Sequence, residues 1–99
     1  IERLGIPSLR MSDGPTGLRS VNSDPATVFP VGTALAASFN PALVSKVAAA
    51  IGREAIAHGV DVLLAPGVNI QRTPLGGRNF EYYSEDPVLS GTMGAAFVQ

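Results

Sequence analysis

The sequence predicts a parallel α/β fold of two strand-helix units, a sector of a barrel or a slice of an open sheet. Three observations carry this. The elements alternate as strand, loop, helix, strand, loop, helix; one strand is a near-continuous apolar run; and the two loops richest in chemistry both follow strands. In parallel α/β folds, sites lie beyond the carboxyl ends of the strands, where those loops fall.

The first strand covers 9–11 and stops at Asp13, because Gly14, Pro15 and Gly17 follow and end any regular element. Residues 20–26 are polar and turn-rich, 28–30 make a brief extended piece, and 31–38, with small residues and no period, read as loop. A helix then spans 41–58: Asn40 suits the N-cap, Pro41 the first helical position and Gly59 the left-handed residue beyond the end. Leu43, Val44, Val47, Ala48, Ile51, Ala55 and Ile56 recur at spacings of three and four and predict one buried stripe. His58, in the last turn, suits a capping role rather than catalysis. The run 60–65, Val-Asp-Val-Leu-Leu-Ala closed by Pro66, reads as a strand buried on both faces. After a long loop, Asp86 and Pro87 repeat the cap-and-proline signature, and Leu89, Met93, Ala96 and Phe97 mark a second helical stripe that runs to the end.

Composition narrows the function classes. At 99 residues the chain forms one domain at most, and with no initiator methionine and an apolar carboxyl end it reads as a piece of something larger. Seven basic against eight acidic residues give a net charge of -1, without the basic excess of nucleic-acid or anionic-membrane binders. No apolar run approaches the roughly 18 residues of a membrane span, and no leader is visible, so the compartment stays undefined. The absence of cysteine removes a disulfide framework, a thiolate metal site and a cysteine nucleophile. One histidine and no cysteine argue against a zinc cluster or a Ser-His-Asp triad within the chain, and no metal or cofactor is expected. The glycines at 76 and 77 match neither phosphate-binding fingerprint.

Candidate chemistry concentrates in 69–87, NIQRTPLGGRNFEYYSEDP, which lacks a clean period and carries two arginines, three aromatics and three acids. Arg78, after Gly76 and Gly77, can enter a cleft and bind vicinal hydroxyls or a carboxylate, or it can form a salt bridge with Glu81, Glu85 or Asp86. Arg72 faces the same choice and leans toward structure because Pro74 follows closely. Glu85 and Asp86 suit the start of a helix, and Glu81 suits holding a loop arginine, so these acids are expected to shape the loop rather than act as a catalytic pair. Asp13, at a strand end in Ser-Asp-Gly-Pro, can accept two hydroxyl hydrogen bonds or close an Asx-turn on its own backbone.

Taken together, RLGIPSLRMSDGPTGLR, FPVGTALAASFN and GREAIAHGVDVLLAPGVNIQRTPLGGRNFEYYSEDPVLSG resemble glycoside hydrolase family 3, β-glucosidase branch, over nearly the whole chain. The resemblance implies an incomplete sector of a (β/α)8 TIM-type barrel, residues 1–99 being part of the family's amino-terminal domain. It implies a retaining enzyme that removes terminal non-reducing β-D-glucosyl residues, with a β-glucoside and the remainder of the parent chain as partners. The Asp of the family's DGP motif matches Asp13 and the Arg of its GRNFEY motif matches Arg78, both substrate-binding positions. The family's nucleophile, an aspartate in a later Ser-Asp-Trp type motif, its Lys-His pair and its acid/base glutamate have no counterpart here. The 99-residue chain alone is therefore expected to be inactive, to leave strand edges open and to be marginally stable. A non-catalytic carbohydrate-binding or structural module derived from the same fold is the competing expectation.

Overall fold

A computed structural model of the chain describes residues 1–19 and 24–99. In chain order it contains β1 (Met11–Asp13), α1 (Gly32–Ala36), α2 (Pro41–Ala57), β2 (Val62–Leu64) and α3 (Pro87–Val98), with 3-10 turns at Glu2–Leu4 and Asn79–Glu81. Part of the turn expected over 20–26 lies outside the described residues.

The two strands pair in parallel, Met11 opposite Val62, Ser12 opposite Leu63 and Asp13 opposite Leu64. The pairing is started one residue earlier by polar groups. Arg10 N donates to Asp61 Oδ2 at 2.9 Å, and the backbone N–H groups of Asp61 and Val62 both donate to Arg10 O. This moves the first strand forward from the expected 9–11, leaving Leu9 exposed.

β2 is shorter than the expected 60–65, and it is not buried on both faces: Val62 and Leu64 are exposed while Leu63 is half-buried. Side chains alternate across a strand, so Leu63 turns toward the helices and packs against both apolar clusters. Val62 and Leu64 turn to the opposite face together with exposed Met11. A two-stranded sheet backed by helices on one side has nothing within the described residues to cover that second face.

α2 begins as the sequence predicts, Asn40 Oδ1 accepting from Leu43 N at 3.1 Å with Pro41 in the first turn. It ends one residue early, with His58 at the C-cap and Gly59 at φ 68° beyond it. The buried stripe is narrower than expected. Val44, Ile51 and Ala55 are buried, whereas Leu43 is 42% and Ile56 77% exposed. Ile56 lies about 140° around the helix from Ile51, which takes it off the face that meets α3.

α3 opens with Asp86 Oδ1 accepting from Val88 N at 2.9 Å. Its Met93 and Phe97 join Val44, Ile51, Leu35, Ala36 and Tyr83 in the main core, with Leu89 and Ala96 packed at its edge. Ser90 is buried too, and donates to Ser84 O at 3.2 Å. A smaller cluster joins Leu18, Ala55 and Val60.

The region expected as loop over 31–38 contains α1. Its N-cap Val31 offers no side-chain bond and its five residues lack a period, so local signals are absent. Burial of Leu35 and Ala36 in the core supplies the stability that propensity does not. No strand forms over 28–30; Phe29 N instead donates to Thr16 O at 2.8 Å. Among the described residues no helix is long and apolar enough to cross a membrane.

Burial pushes the Tyr83 hydroxyl up to about 12 from 10.0. Its neutral form is favoured in the folded state, so its contribution is complete below the unfolded value and is lost as pH rises from about 10 through 12. Stability should fall by on the order of 2 kcal/mol across that window through this group. Tyr83→Phe should remove that component from the pH dependence of thermal unfolding of the full-length protein; an unchanged alkaline profile would contradict it.

Candidate functional site

The parallel register places the carboxyl ends of both strands side by side, and the segments that leave them face each other. Asp13 is the last residue of β1. Beyond it the chain folds back on itself, Arg19 N donating to Asp13 O at 2.8 Å and Gly17 N to Gly14 O at 3.3 Å. Ser12, buried beneath this loop, has its Oγ 3.2 Å from Asp13 O and 3.1 Å from Arg19 O, within donating distance of both. Gly14 is favoured by packing: a Cβ there would lie 2.2 Å from Leu63 Cδ1, so a side chain where the loop crosses the end of β2 would force Leu63 to shift.

The Asp13 side chain does not close an Asx-turn. Among the described residues its only partner is Arg19, whose Nη1 lies 3.7 Å from Oδ2, both side chains being well exposed. Its carboxylate is thus left with capacity to accept donors from a ligand.

Arg78 caps the 3-10 turn Asn79–Glu81 and bonds through Nε to Glu81 Oε1. The salt-bridge alternative is therefore present. The hydrogen bond that Arg78 donates to Glu81, and then the charge of Glu81, raise the Arg78 guanidinium above its ordinary value, with Asp13 adding in the same direction from across the site. The bond uses Nε alone, so the four Nη hydrogens have no partner among the described residues.

Asp13, Arg19, Arg78, Glu81, Tyr82 and Asn69 are among the residues lining one open cavity of about 580 Å³. Its size falls within the usual range for small-molecule sites. The two residues singled out from sequence are thus brought together from segments 65 residues apart in the chain (78 − 13). Arg19 was missed; its only signal was a basic residue in the same Gly-rich turn as Asp13.

The other loop residues divide. Glu81 holds Arg78 and Asp86 caps α3, as expected. Glu85 and Arg72, expected to shape the loop, are exposed and make no hydrogen bond or ion pair among the described residues. The loop is shaped instead by Asn79 Nδ2, donating to Thr73 O at 2.7 Å, and by polar contacts from α1. No group of three or more potential metal ligands occurs among the described residues.

An open polar cavity at the ends of parallel strands thus sets a carboxylate acceptor beside guanidinium donors, a chemistry suited to a small polar ligand. The comparisons narrow the class. The model of the glycosyl hydrolase family 3 N terminal domain matches residues 1–99, and the chain belongs to that family. Thermostable beta-glucosidase B of Acetivibrio thermocellus is 50% identical over 109 residues, a match covering 100% of this chain and 14% of that protein. A beta-glucosidase of Ruminococcus albus is 52% identical over 96 residues, 97% of this chain and 10% of its own length. Among solved structures, beta-glucosidase 3B of Thermotoga neapolitana in complex with alpha-D-glucose superposes with a TM-score of 0.91 at 50% identity, over 99% of this chain and 15% of that one. The chain therefore spans a small fraction of the proteins it matches.

Gly14→Ala should destabilise the site by about 1–3 kcal/mol through the contact with Leu63. Most of that cost should disappear when Leu63→Ala is introduced with it, since neighbouring substitutions couple. Equal costs of Gly14→Ala in the two backgrounds, measured by thermal unfolding of the full-length protein, would refute the packing account.

Proposed function

We propose that this chain forms a sector of a (β/α)8 barrel in a retaining β-glucosidase that hydrolyses terminal non-reducing β-D-glucosyl residues. In this reading it supplies the sugar-holding wall, with Asp13 and Arg78 as substrate-binding residues, and residues 1–99 are part of the amino-terminal domain. The observation that supports it most is the cavity shared by Asp13 and Arg78, one an acceptor for sugar hydroxyls and the other a planar set of donors. The relatives named above are β-glucosidases, and a structural neighbour was solved with glucose, which supports glucose as the sugar of this subsite.

The chemistry itself belongs to the rest of the parent chain. A retaining glycosidase uses two carboxyl groups about 5–5.5 Å apart, one attacking the anomeric carbon and one moving a proton. Of the cavity's acids, Asp13 faces Arg19 and Glu81 is bonded to Arg78. Each pairing suits a residue that orients a ligand. In this reading, as the family resemblance implies, the chain contributes neither nucleophile nor acid/base, and the sugar contacts it makes count toward turnover because hydroxyl hydrogen bonds strengthen in the transition state.

Asp13→Ala in the full-length protein tests this reading. Loss of a charged hydrogen-bond acceptor is worth about 1.5–3 kcal/mol, so kcat/KM on an aryl β-glucoside should drop by at least about tenfold. The melting temperature should change little because the side chain is exposed. An unchanged kcat/KM would remove Asp13 from the site.

A further inference from the structure

Behind Arg78, the carbonyl oxygens of Asn79, Phe80 and Tyr82 converge on a single point. Thr33 Oγ1 stands there, 3.0, 3.1 and 3.0 Å from the three. Gln71 Nε2 stands beside it, 2.8 Å from Asn79 O, 3.2 Å from Tyr82 O and 3.3 Å from Thr33 Oγ1. A hydroxyl carries one hydrogen and a carboxamide two, so three hydrogens are shared among these acceptors. Carbonyl dipoles pointed at one another repel, and they hold this arrangement only while donors lie between them.

The location of the cluster gives it a consequence. Arg78 immediately precedes the turn Asn79–Glu81, and Glu81 ends it, so the carbonyls of Asn79 and Phe80 belong to the backbone between the two members of the ion pair and that of Tyr82 to the residue directly after it. The first turn of α1 is pressed against the same backbone: a Cβ on Gly32 would lie 2.3 Å from Glu81 O. α1 is in turn anchored through Leu35 and Ala36 in the main core. A rigid path thus runs from the core, through α1, to the peptide units that aim Arg78 into the cavity.

We propose that Thr33 and Gln71 are positioning residues for the sugar site, a polar clamp that sets the direction of Arg78 and acts on the substrate only through it. The proposal rests on the reading of Arg78 as a sugar-holding residue. Thr33 is exposed at the start of a short helix, so removing its hydroxyl leaves the core intact and disturbs the turn alone. Gln71→Glu, an isosteric change, would set a carboxylate against the carbonyl oxygens of Asn79 and Tyr82 and push them apart.

Steady-state kinetics of the full-length protein on an aryl β-glucoside separate the possibilities, using Thr33→Val, Thr33→Ser, Gln71→Glu, Arg78→Ala and the double variant Thr33→Val/Arg78→Ala. Thr33→Val and Gln71→Glu should each lower kcat/KM at least tenfold, with part of the loss in kcat, because misdirected donors fail most in the transition state. Thr33→Ser, which keeps the hydroxyl, should stay within threefold of the parent. In the Arg78→Ala background Thr33→Val should cost less than threefold, since the clamp then has nothing left to aim. Thr33→Val and Gln71→Glu at parental kcat/KM, or a Thr33→Val loss repeated in full without Arg78, would overturn the clamp while leaving the sugar site standing. An Arg78→Ala variant with parental kcat/KM would overturn both.

Discussion

Parallel pairing of Met11–Asp13 with Val62–Leu64 is the constraint on which the rest of the molecule depends. Because the strands run in the same direction, both leave the sheet at one end, and the segments that follow them line one cavity there. The register is held by backbone bonds around Arg10 and Asp61 at one end and by the fit of Leu63 under Gly14 at the other. A slip of one residue would turn Leu63 away from the helices and expose it, at the loss of burial in both apolar clusters. Hydrophobic packing under the sheet therefore decides where Asp13 stands above it.

The second half of the site depends on a different kind of force. The loop from Asn69 to Tyr83 has little apolar anchoring until Tyr83, and its course is set by hydrogen bonds to its own backbone and to α1. Polar clusters of this sort are costly when incomplete and rigid when satisfied, which is consistent with the role proposed for Arg78. The Arg78–Glu81 pair fits this view. Its exposed cation draws little stability from the bond, yet the bond fixes one edge of the guanidinium and leaves the other donors for a ligand.

Much of this was legible in the residues. Asn40 and Asp86 announced their helices through caps that form as expected, and Met93 and Phe97 through spacing. Asp13 and Arg78 were marked by position beside strand ends and glycines, and they do share a cavity. Three things were hidden for physical reasons. α1 is held by tertiary burial rather than by its own caps or period, so nothing local reveals it. The exposed faces of Val62 and Leu64 depend on how many neighbours the sheet has, which the apolar run itself does not encode. Thr33 and Gln71 meet across 38 residues of sequence, Arg19 meets Asp13 only through the folding of one turn, and a polar residue in a loop looks the same whether or not such partners exist. The motif resemblance, by contrast, was carried by order and identity of residues, and the family match over residues 1–99 agrees with it.

The central claim is that Asp13 and Arg78 grip one sugar from two sides of a shared cavity. A crystal structure of the full-length protein with glucose bound tests it most directly. The account predicts an Asp13 carboxylate oxygen and an Arg78 Nη atom each within about 2.7–3.2 Å of hydroxyls on the same ring, with Glu81 still bonded to Arg78 Nε. A glucose molecule bound in the cavity with either side chain turned away from it would contradict the claim.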